Sequence, residues 1–554
     1  MKSYRWQIII ILLTGLVVGL LLLSEQTGFR LVSPVPTLGG VYSEGLVGRL
    51  QRLNPVLDYY NASDRDINRL IFSSLIKYDS QGLPEGDLAE DWGISFDGLT
   101  YNFTIKENAN WHDGEPVTAQ DVAFTIDLMR DPESVLPDDI KELWGRVEVN
   151  ALDEKNLQLK LQEPFAPIMD YLSFGVLPQH LLGGLTYQQI ITSEFNINPI
   201  GSGPFKFQSF ISEGETISGV ILNANSNYYG QVPFIQEFVF RYYSDQQSAL
   251  DALKEGIVQG LSDLNQSAFI KVLENQNLAL YSAIKPEISM VLLNLNNNDV
   301  PFFQDKEIRR AMLMSLDRVG LINRVLNGQG VIADVPILTT SWAHYSANPR
   351  IDQDNQQARK ILNEAGYVIE SEGEQIRQKE SVLFSFTLVH PSDEYHTKIA
   401  QALQSDWEKI GIRAELAPVP YDGLILDYLE PLTYEAALID LSYSRSPDPD
   451  PYPFWDQTQQ SGGQNYSQWE NRIASKYLEE ARISHDLNER SKLYRNFQAV
   501  FTDELPALPL FYPIYNYSIN NIIQGVRIGP MFDTHDRFWN VNEWFLLTQT
   551  NQNP

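Results

Sequence analysis

The sequence of 554 residues contains no cysteine. This absence excludes disulfide bonds, thiol catalysis, cysteine-ligated metal sites and lipid attachment through a cysteine, but it does not argue against a location outside the cytoplasm. Common catalytic signatures are also missing, because the seven histidines show no HExxH spacing and neither a GxSxG nor a P-loop phrase occurs. A glycosidase stays open at this point, since two acidic residues far apart in sequence are enough for that chemistry.

Basic residues are scarce relative to acidic ones. Lysine and arginine together number 41 against 71 aspartates and glutamates, which gives a net charge of −30. A charge of this sign and size repels phosphate backbones and anionic lipid surfaces. We therefore predict no nucleic-acid partner for this chain. Separately, its length is sufficient for two or three domains.

The amino-terminal segment lacks charge from Trp6 to Ser24, and residues 8–23 are almost entirely apolar. Sixteen helical residues rise about 24 Å, and the uncharged flanks bring the segment close to the thickness of a bilayer core. Such a segment is either a cleaved signal peptide or an uncleaved anchor. Because no small-x-small cleavage site follows it, we predict a transmembrane anchor at residues 1–24 with its basic end cytoplasmic, followed by a tether at residues 25–37.

One stretch near the amino terminus carries the densest local signals, a strand followed by a capped helix. Apolar and polar residues alternate over residues 99–106, which predicts a strand with one buried face. Thr118 stands three residues before Asp121, an acidic variant of the capping box that begins a helix. The same reasoning predicts a second capping box formed by Ser244 and Gln247.

Residues 88–125, LAEDWGISFDGLTYNFTIKENANWHDGEPVTAQDVAFT, resemble the signature region of the extracellular solute-binding proteins of family 5. These proteins are the receptors of oligopeptide-type ATP-binding cassette importers. Further phrases are similar to family motifs, namely GSGPF at 201–205, KEIRRAMLMSLDRVGLINR at 306–324 and SPDPDPYPFW at 446–455. The resemblance covers nearly the whole chain after Thr37.

The resemblance implies an α/β, periplasmic-binding-protein-like fold with two hinged α/β lobes, in addition to the N-terminal transmembrane helix. The residues themselves predict a parallel βαβ unit, because strand, helix and strand patterns follow each other over residues 382–419. We predict that residues 38–284 and 509–554 form lobe I, with an extra subdomain around residues 61–190. Residues 285–508 are predicted to form lobe II.

The predicted ligand site is the cleft between the lobes, because ligands of open α/β sheets bind at the carboxyl ends of strands and at lobe boundaries. The aromatic and proline-rich segment 442–469 is the best candidate for a wall of this cleft. From position and resemblance together, we predict these ligand-binding residues: Tyr42, Ser43, Glu44, Ser202, Gly203, Asn294, Tyr443, Arg445, Asp448, Trp455, Asn465 and Tyr466.

Arg445 departs from the family pattern. The resemblance implies an aspartate at this position in peptide-binding relatives, where it forms a salt bridge with the amino terminus of the peptide. A guanidinium cannot accept a hydrogen bond from an ammonium group and repels it. Either Arg445 faces a ligand carboxylate, or it turns to the surface, or another acid takes over the role of the aspartate, the candidates being Glu44, Asp440 and Asp448.

No metal and no cofactor are predicted. The phrase from Asp448 to Pro451 alternates oxygen ligands in the manner of a calcium loop, but its two prolines stiffen a turn that calcium loops make with glycine. Separately, the resemblance implies a receptor and not an enzyme.

The predicted function is a membrane-tethered, extracytoplasmic receptor that captures peptides in a hinged cleft and delivers them to the permease subunits of an ATP-binding cassette importer. The predicted location is the cell membrane, with a single pass and the binding domain outside, and the predicted state is a monomer. Two alternatives stay open, a receptor for a non-peptide solute such as an oligosaccharide or a nickel or haem chelate, and a sensor without import.

Overall fold

The computed structural model of the protein describes residues 36–214, 216–369, 375–445 and 447–547. The predicted anchor at residues 1–24, and all but the last two residues of the predicted tether, lie outside these ranges. Within the described ranges, no helix is both long enough and apolar enough to cross a bilayer.

The strands form one large sheet and four smaller ones. In chain order, the strands of the first half of the chain are β1 (Val41–Val47), β2 (Ile76–Tyr78), β3 (Pro84–Gly86), β4 (Ala89–Ile94), β5 (Thr100–Ile105), β6 (Glu148–Ala151), β7 (Asn156–Lys160), β8 (Phe205–Glu213), β9 (Thr216–Ala224), β10 (Glu237–Tyr243), β11 (Gly260–Leu261) and β12 (Leu278–Ile284). The later strands are β13 (Glu287–Leu293), β14 (Gly330–Ile332), β15 (Gln378–Lys379), β16 (Val382–Leu383), β17 (Ser385–Pro391), β18 (Arg413–Val419), β19 (Ala436–Ser442), β20 (Ala507–Asn520), β21 (Ile523–Gln524) and β22 (Phe545–Leu546).

Helices flank these sheets. They are α1 (Ala62–Ile71), α2 (Ala119–Met129), α3 (Asp138–Gly145), α4 (Gln179–Leu182), α5 (Tyr187–Ile191), α6 (Gln246–Glu255), α7 (Gln266–Leu273), α8 (Lys306–Met314), α9 (Arg318–Val325), α10 (Asn355–Glu364), α11 (Glu394–Glu408), α12 (Tyr421–Gly423), α13 (Tyr452–Trp455), α14 (Arg472–Ile483) and α15 (Leu487–Glu504). Shorter 3-10 and π turns occupy Ala166–Leu172, Glu194–Ile197, Pro301–Gln304, Leu424–Leu429, Gln457–Gln460, Thr534–Phe538 and Val541–Glu543.

The large sheet has the strand order β18-β17-β19-β13-β20-β11-β1-β10-β9-β8, with β12 and β14 also paired to β20. Strand β20 is shared, because its first half pairs with β13 and its second half pairs with β12. The chain passes from β12 to β13 through residues 285–286. This connection lies beside the middle of β20, since Ile284 pairs with Ile514 and Ser289 pairs with Phe511. The two halves of the sheet are therefore joined by two adjacent crossings of the chain.

The second half-sheet, which contains β13 and β17–β19, is covered on both faces. Ile288, Met290 and Leu292 of β13 pack into one apolar cluster, while Val291 and Leu293 pack into another. Residues 290–293 of β13 form an apolar run, as expected where both faces of a strand are covered. Strands β17 and β18 are parallel and are connected by α11, which confirms the predicted βαβ unit.

The local predictions around β5 and α2 are confirmed. Strand β5 buries Tyr101, Phe103 and Ile105 on one face, and Thr118 and Asp121 form a complete capping box at the start of α2. This helix packs on the four-stranded sheet β4-β5-β7-β6, which lies within the segment that we predicted as an extra subdomain.

The second predicted capping box is wrong. Helix α6 begins at Gln246, and its cap is Asp245, whose side chain accepts a hydrogen bond from the amide of Ser248. Ser244 instead donates its hydroxyl hydrogen bond to Asp245 over 2.9 Å. The sequence offers two adjacent residues that can cap a helix, and the helix begins one residue later than predicted.

Candidate functional site

A cavity of about 1480 Å³ lies between two walls. The first wall is formed by residues 55–80, 129–175 and 530–539, and the second wall is formed by residues 442–483. Small-molecule pockets usually enclose about 300–1,000 Å³. The cavity therefore has room for a ligand larger than a typical metabolite.

The second wall begins where β19 ends, at Ser442. Prolines fix the backbone of the following loop at three alternate positions, namely Pro447, Pro449 and Pro451. The amide of Tyr443 donates to the carbonyl of Pro286 over 2.7 Å, and its hydroxyl donates to the carbonyl of Pro336 over 2.9 Å. Because Pro286 lies in the crossing between β12 and β13, the first of these bonds attaches the wall to the connection between the half-sheets.

Arg445 reaches from the second wall to the first. Its guanidinium lies 3.8 Å from the centre of the Tyr59 ring and donates to the Tyr59 carbonyl over 3.0 Å. Its Nε lies 3.3 Å from Asp533 Oδ2, and its backbone amide donates to the carbonyl of Phe532 over 2.7 Å. The guanidinium therefore binds groups of the protein itself, and of the three alternatives left open by the sequence, the surface-turned side chain is wrong.

Asp533 is the acidic partner in this contact. Its carboxylate also accepts two hydrogen bonds from Arg65, over 3.0 and 3.3 Å. Burial alone would raise the pKa of Asp533, but the charges of His535, Arg65 and Arg445 outweigh this effect and hold the pKa well below its usual range. Asp533 is therefore an ionised acid that joins two arginines from opposite walls.

A second contact between the walls involves Asp448 and Asp170. The amide of Asp448 donates to Asp170 Oδ2 over 2.9 Å, while Tyr78 donates to the other carboxyl oxygen over 2.7 Å. Burial and the nearby charge of Asp448 raise the pKa of Asp170 well above its usual range. The Asp448 carboxylate itself forms a salt bridge with Arg490, with atoms 2.5 Å apart.

A third contact is built on Arg482. Asp450 accepts hydrogen bonds from this guanidinium over 2.8 to 3.0 Å. The same guanidinium lies 4.1 Å from the centre of the Tyr452 ring and 5.2 Å from that of Phe165, which belongs to the first wall. Each of the three contacts joins a residue of the first wall to a residue of the second wall, so the cleft is bridged at three points.

Three of the predicted ligand-binding residues line this cavity, namely Tyr443, Arg445 and Asp448. Three others lie at β1, away from it. Tyr42 and Glu44 are fully buried, and Glu44 binds Arg537 over 2.6 Å and accepts from Tyr42 over 2.8 Å. Burial raises the pKa of Glu44 although Arg537 opposes the shift. The amide of Ser43 donates to the side chain of Gln259. Tyr42, Ser43 and Glu44 therefore bind residues within the proposed lobe I and not the second wall.

Ser202 and Gly203 also lie outside the cavity. The hydroxyl of Ser202 accepts from the amide of Ser73 over 3.4 Å. A Cβ atom on Gly203 would lie 2.5 Å from the carbonyl oxygen of Leu70. The glycine is required by the close approach of two backbone segments.

The remaining four predicted residues support the second wall from behind. Asn294 donates to the carbonyls of Leu432 and Tyr434, and Asn465 donates to those of Asp456 and Trp469. Trp455 packs in the core against Phe501, and the carbonyl of Tyr466 accepts from Tyr434. These contacts hold loops in place and do not bring the four side chains to the cavity lining.

Sequence reasoning missed Asp58, which lines the cavity and is only 7% exposed. Its Oδ2 accepts from the side-chain amide of Asn68 over 2.8 Å. Burial raises the pKa of Asp58 to about 7, against the opposing effects of Asn68, Arg65 and Arg445. Its position a few residues before α1 carries no recognisable motif, so only its place in the fold identifies it.

Within the described ranges, acidic and histidine side chains do not form a group of three or more that could hold a metal ion.

Comparison with known proteins places the chain among transport receptors. The oligopeptide-binding protein AppA of Bacillus subtilis (strain 168) is 27% identical over 532 residues, which cover 94% of each chain. The dipeptide-binding protein of Escherichia coli (strain K12) is 23% identical over 514 residues, covering 85% of this chain and 92% of that protein.

Solved structures agree with the sequence comparisons. AppA of Bacillus subtilis in complex with a nonapeptide superposes with a TM-score of 0.68 and 25% identity, covering 93% of this chain and all of that one. NikZ of Campylobacter jejuni in complex with Ni(L-His) gives a TM-score of 0.69 at 25% identity, covering 92% of this chain and all of that one. The periplasmic-binding-protein-like α/β fold is therefore confirmed.

Residues 84–465 match the family described as "Bacterial extracellular solute-binding proteins, family 5 Middle". This match covers most of the chain and confirms the family that the sequence motifs indicated. Because the members of this family are binding receptors, the glycosidase alternative is wrong. The chain belongs to the bacterial extracellular solute-binding proteins of family 5.

Proposed function

We propose that the protein captures peptides in the cavity between its two walls and delivers them to the permease subunits of an ATP-binding cassette importer. The observation that carries this proposal is the cavity of about 1480 Å³ between the two walls, in a chain similar over 94% of its length to an oligopeptide-binding protein. A cavity of this size can enclose several residues of an extended peptide.

We propose further that the two walls belong to separate lobes, with residues 38–284 and 509–554 in lobe I and residues 285–508 in lobe II. The two adjacent crossings of the chain, at residues 285–286 and in the middle of β20, support this division. Two crossings side by side permit rotation of one half-sheet against the other. A ligand that contacts both walls then favours the closed state.

The membrane anchor stays a proposal, with residues 1–24 crossing the bilayer and a binding domain that works as a monomer outside the cytoplasm. The uncharged run of the sequence supports it. Fractionation of cells that express the full chain tests it, because an anchored chain stays in the membrane pellet after an alkaline wash. Release of the chain without its first residues would show a cleaved signal instead.

A second candidate ligand class is a metal chelate. The specific observation in its favour is the structural similarity to NikZ, which was solved with Ni(L-His). Other non-peptide solutes, and a sensor role without import, remain as outcomes of the experiment below.

Native mass spectrometry of the full chain, extracted in a mild detergent, tests the proposed function. We expect the purified receptor to carry a mixture of peptides of several residues, which denaturation releases for sequencing. A sample that was denatured and refolded before the measurement is the control and should carry none. Release of a metal chelate or a sugar, with no peptide, would contradict peptide capture.

A further inference from the structure

One contact between the two proposed lobes lies outside the cavity. It begins at residues 95–98, the turn between β4 and β5. The amide of Ser95 donates to the carbonyl of Thr100 over 2.8 Å, and the amide of Gly98 donates to the carbonyl of Ser95 over 2.9 Å. The hydroxyl of Ser95 also donates to the carboxylate of Asp97 over 2.5 Å. These bonds hold the turn in one conformation.

His485 lies against this turn from the other lobe, in the short loop between α14 and α15. Its ring meets the Tyr101 ring edge to face, with the two centroids 5.9 Å apart, and its Nδ1 lies 3.3 Å from the Tyr101 hydroxyl oxygen. Tyr101 belongs to the proposed lobe I and His485 to the proposed lobe II. The contact therefore joins the lobes through an aromatic pair and a hydrogen bond.

The backbone of Gly98 lies directly under the His485 ring. Its φ is +70°, in the left-handed region that glycine adopts most readily. A Cβ atom at this position would lie 1.9 Å from Nε2 of His485 and 2.5 Å from Cδ2. A larger residue at position 98 would therefore force the imidazole away from Tyr101 or keep the two lobes apart.

This contact differs from the three that bridge the cleft. Arg445, Asp170 and Arg482 all line the cavity, so a ligand can touch the residues that make those contacts. Gly98 and His485 are not part of the lining. A contact between lobes that leaves the ligand untouched stabilises the closed state for any ligand and slows its reopening.

We propose that residues 95–98 and His485 form a latch, which holds the lobes together outside the cavity and slows the release of a captured solute. Gly98 permits the latch because it leaves space for the imidazole. The proposal rests on the proposed division into two lobes and on solute capture, and it adds the residues that set how long the solute stays bound.

The rate of peptide release tests the latch. Peptides that copurify with the full chain are resynthesised with a fluorescent label, and their binding and release are followed by stopped flow after unfolding and refolding have removed the native ligand. We expect Gly98→Ala to raise the dissociation rate about five- to hundredfold, the range expected for the loss of an aromatic contact and a hydrogen bond. The association rate should change by less than about threefold, because the latch forms after the ligand has entered.

Two further variants separate the latch from backbone strain. Gly256→Ala is the matched control, since Gly256 has φ of +74° but no atom near the position of an added Cβ, and it should keep the wild-type dissociation rate. In the background of His485→Ala, Gly98→Ala should change the rate by less than about threefold, because the two substitutions remove the same contact. A wild-type dissociation rate in folded Gly98→Ala, or effects of the two substitutions that simply multiply, would overturn the latch.

A crosslink tests the latch without a ligand. The chain contains no cysteine, so Gly98→Cys combined with His485→Cys offers one pair of thiols to a short bismaleimide. We expect a crosslink within the full chain that forms faster when peptide is added, and none for Gly256→Cys combined with His485→Cys. Absence of the first crosslink would overturn the latch even if peptides bind. The crosslink in a protein that binds no peptide would overturn peptide capture and support the latch.

Discussion

Arg445 shows how one residue can contact both walls of a cleft. Its backbone has φ of +64°, in the left-handed region that residues with a Cβ seldom adopt. The conformation is held by the bond from its amide to Phe532 and by the stack of its guanidinium on Tyr59. Because these partners lie on the opposite wall, the strained backbone is compensated only when the cleft is closed.

We predict that Arg445→Ala weakens closure. The substitution removes a cation–π contact and a charged hydrogen bond across the cleft, which together contribute about 1–3 kcal/mol. Peptide affinity measured by calorimetry should fall about five- to hundredfold. Arg146→Ala is the matched control, because Arg146 lines the same cavity but pairs with Glu142 on its own wall. Equal losses in the two variants would contradict the assignment.

The pKa of Asp58 predicts a pH dependence of stability. Its folded-state pKa is about 7, against about 4 for an unfolded aspartate. The folded protein therefore binds the proton more readily, so the free energy of unfolding falls as pH rises from 4 to 7 and the full penalty applies above pH 7. Asp58→Asn removes this penalty and should raise the free energy of unfolding at pH 8 by on the order of 2–4 kcal/mol, with little change at pH 4.

Urea unfolding of wild type and Asp58→Asn at pH 4, 6 and 8 measures this difference. Asp139→Asn is the control, since an exposed carboxyl should shift stability by less than about 0.5 kcal/mol at every pH. A stability difference for Asp58→Asn that stays constant over the whole pH range would contradict the prediction.

At the scale of the element, substitutions at the start of α6 distinguish the observed cap, Asp245, from the predicted cap, Ser244. Asp245→Ala removes the side chain that accepts from the Ser248 amide, which should lower the free energy of unfolding by about 1 kcal/mol. Ser244→Ala removes a hydroxyl that only donates to Asp245 and should change it by less than about 0.5 kcal/mol. Chemical denaturation of the two variants measures both values, and a larger effect of Ser244→Ala would favour the sequence-based cap.

Elements with local signals could be predicted from the sequence, and contacts between distant residues could not. Strand β5 and the capping box at Thr118 depend only on residues a few positions apart. The alternation of apolar and polar residues identifies the strand, and the three-residue spacing of Thr118 and Asp121 identifies the cap. Glu44 was predicted to contact a ligand, but it lies in the middle of β1 and binds Arg537, a partner 493 residues away in the sequence that no local pattern indicates. Asp58 was missed for the same reason, since its burial arises from the fold and not from its neighbours.

At the scale of the whole molecule, the closed state depends on a few polar contacts. The two walls meet through Arg445, through Asp170 and through Arg482. Asp170 is protonated more readily when it is enclosed, because burial and Asp448 raise its pKa. Because Asp448 lies on the opposite wall, closure should contribute to this rise in pKa and take up a proton, so we expect closure to be favoured as pH falls.

Because the chain contains no cysteine, fluorescent labels can be attached at introduced cysteines alone, and the motion of the two proposed lobes can be measured from the distance between them. Cysteines introduced at Phe96 and Ile473, which are both exposed, place one fluorescent label in each proposed lobe. We predict that peptides raise the energy transfer between these labels, because a ligand that contacts both walls shifts the population toward the closed state. Labels at Leu426 and Ile473, both within residues 285–508, should show no change.

Arg445→Ala in the labelled protein connects this motion to the contacts of the cleft. If Arg445 stabilises the closed state by about 1–3 kcal/mol, the variant should need about five- to hundredfold more peptide to reach half of the change in energy transfer. The final energy transfer at saturation should match the wild type, since the ligand still contacts both walls. A change in energy transfer between the labels at Leu426 and Ile473 would instead show that residues 285–508 do not move as one body, and would contradict the proposed division of the chain.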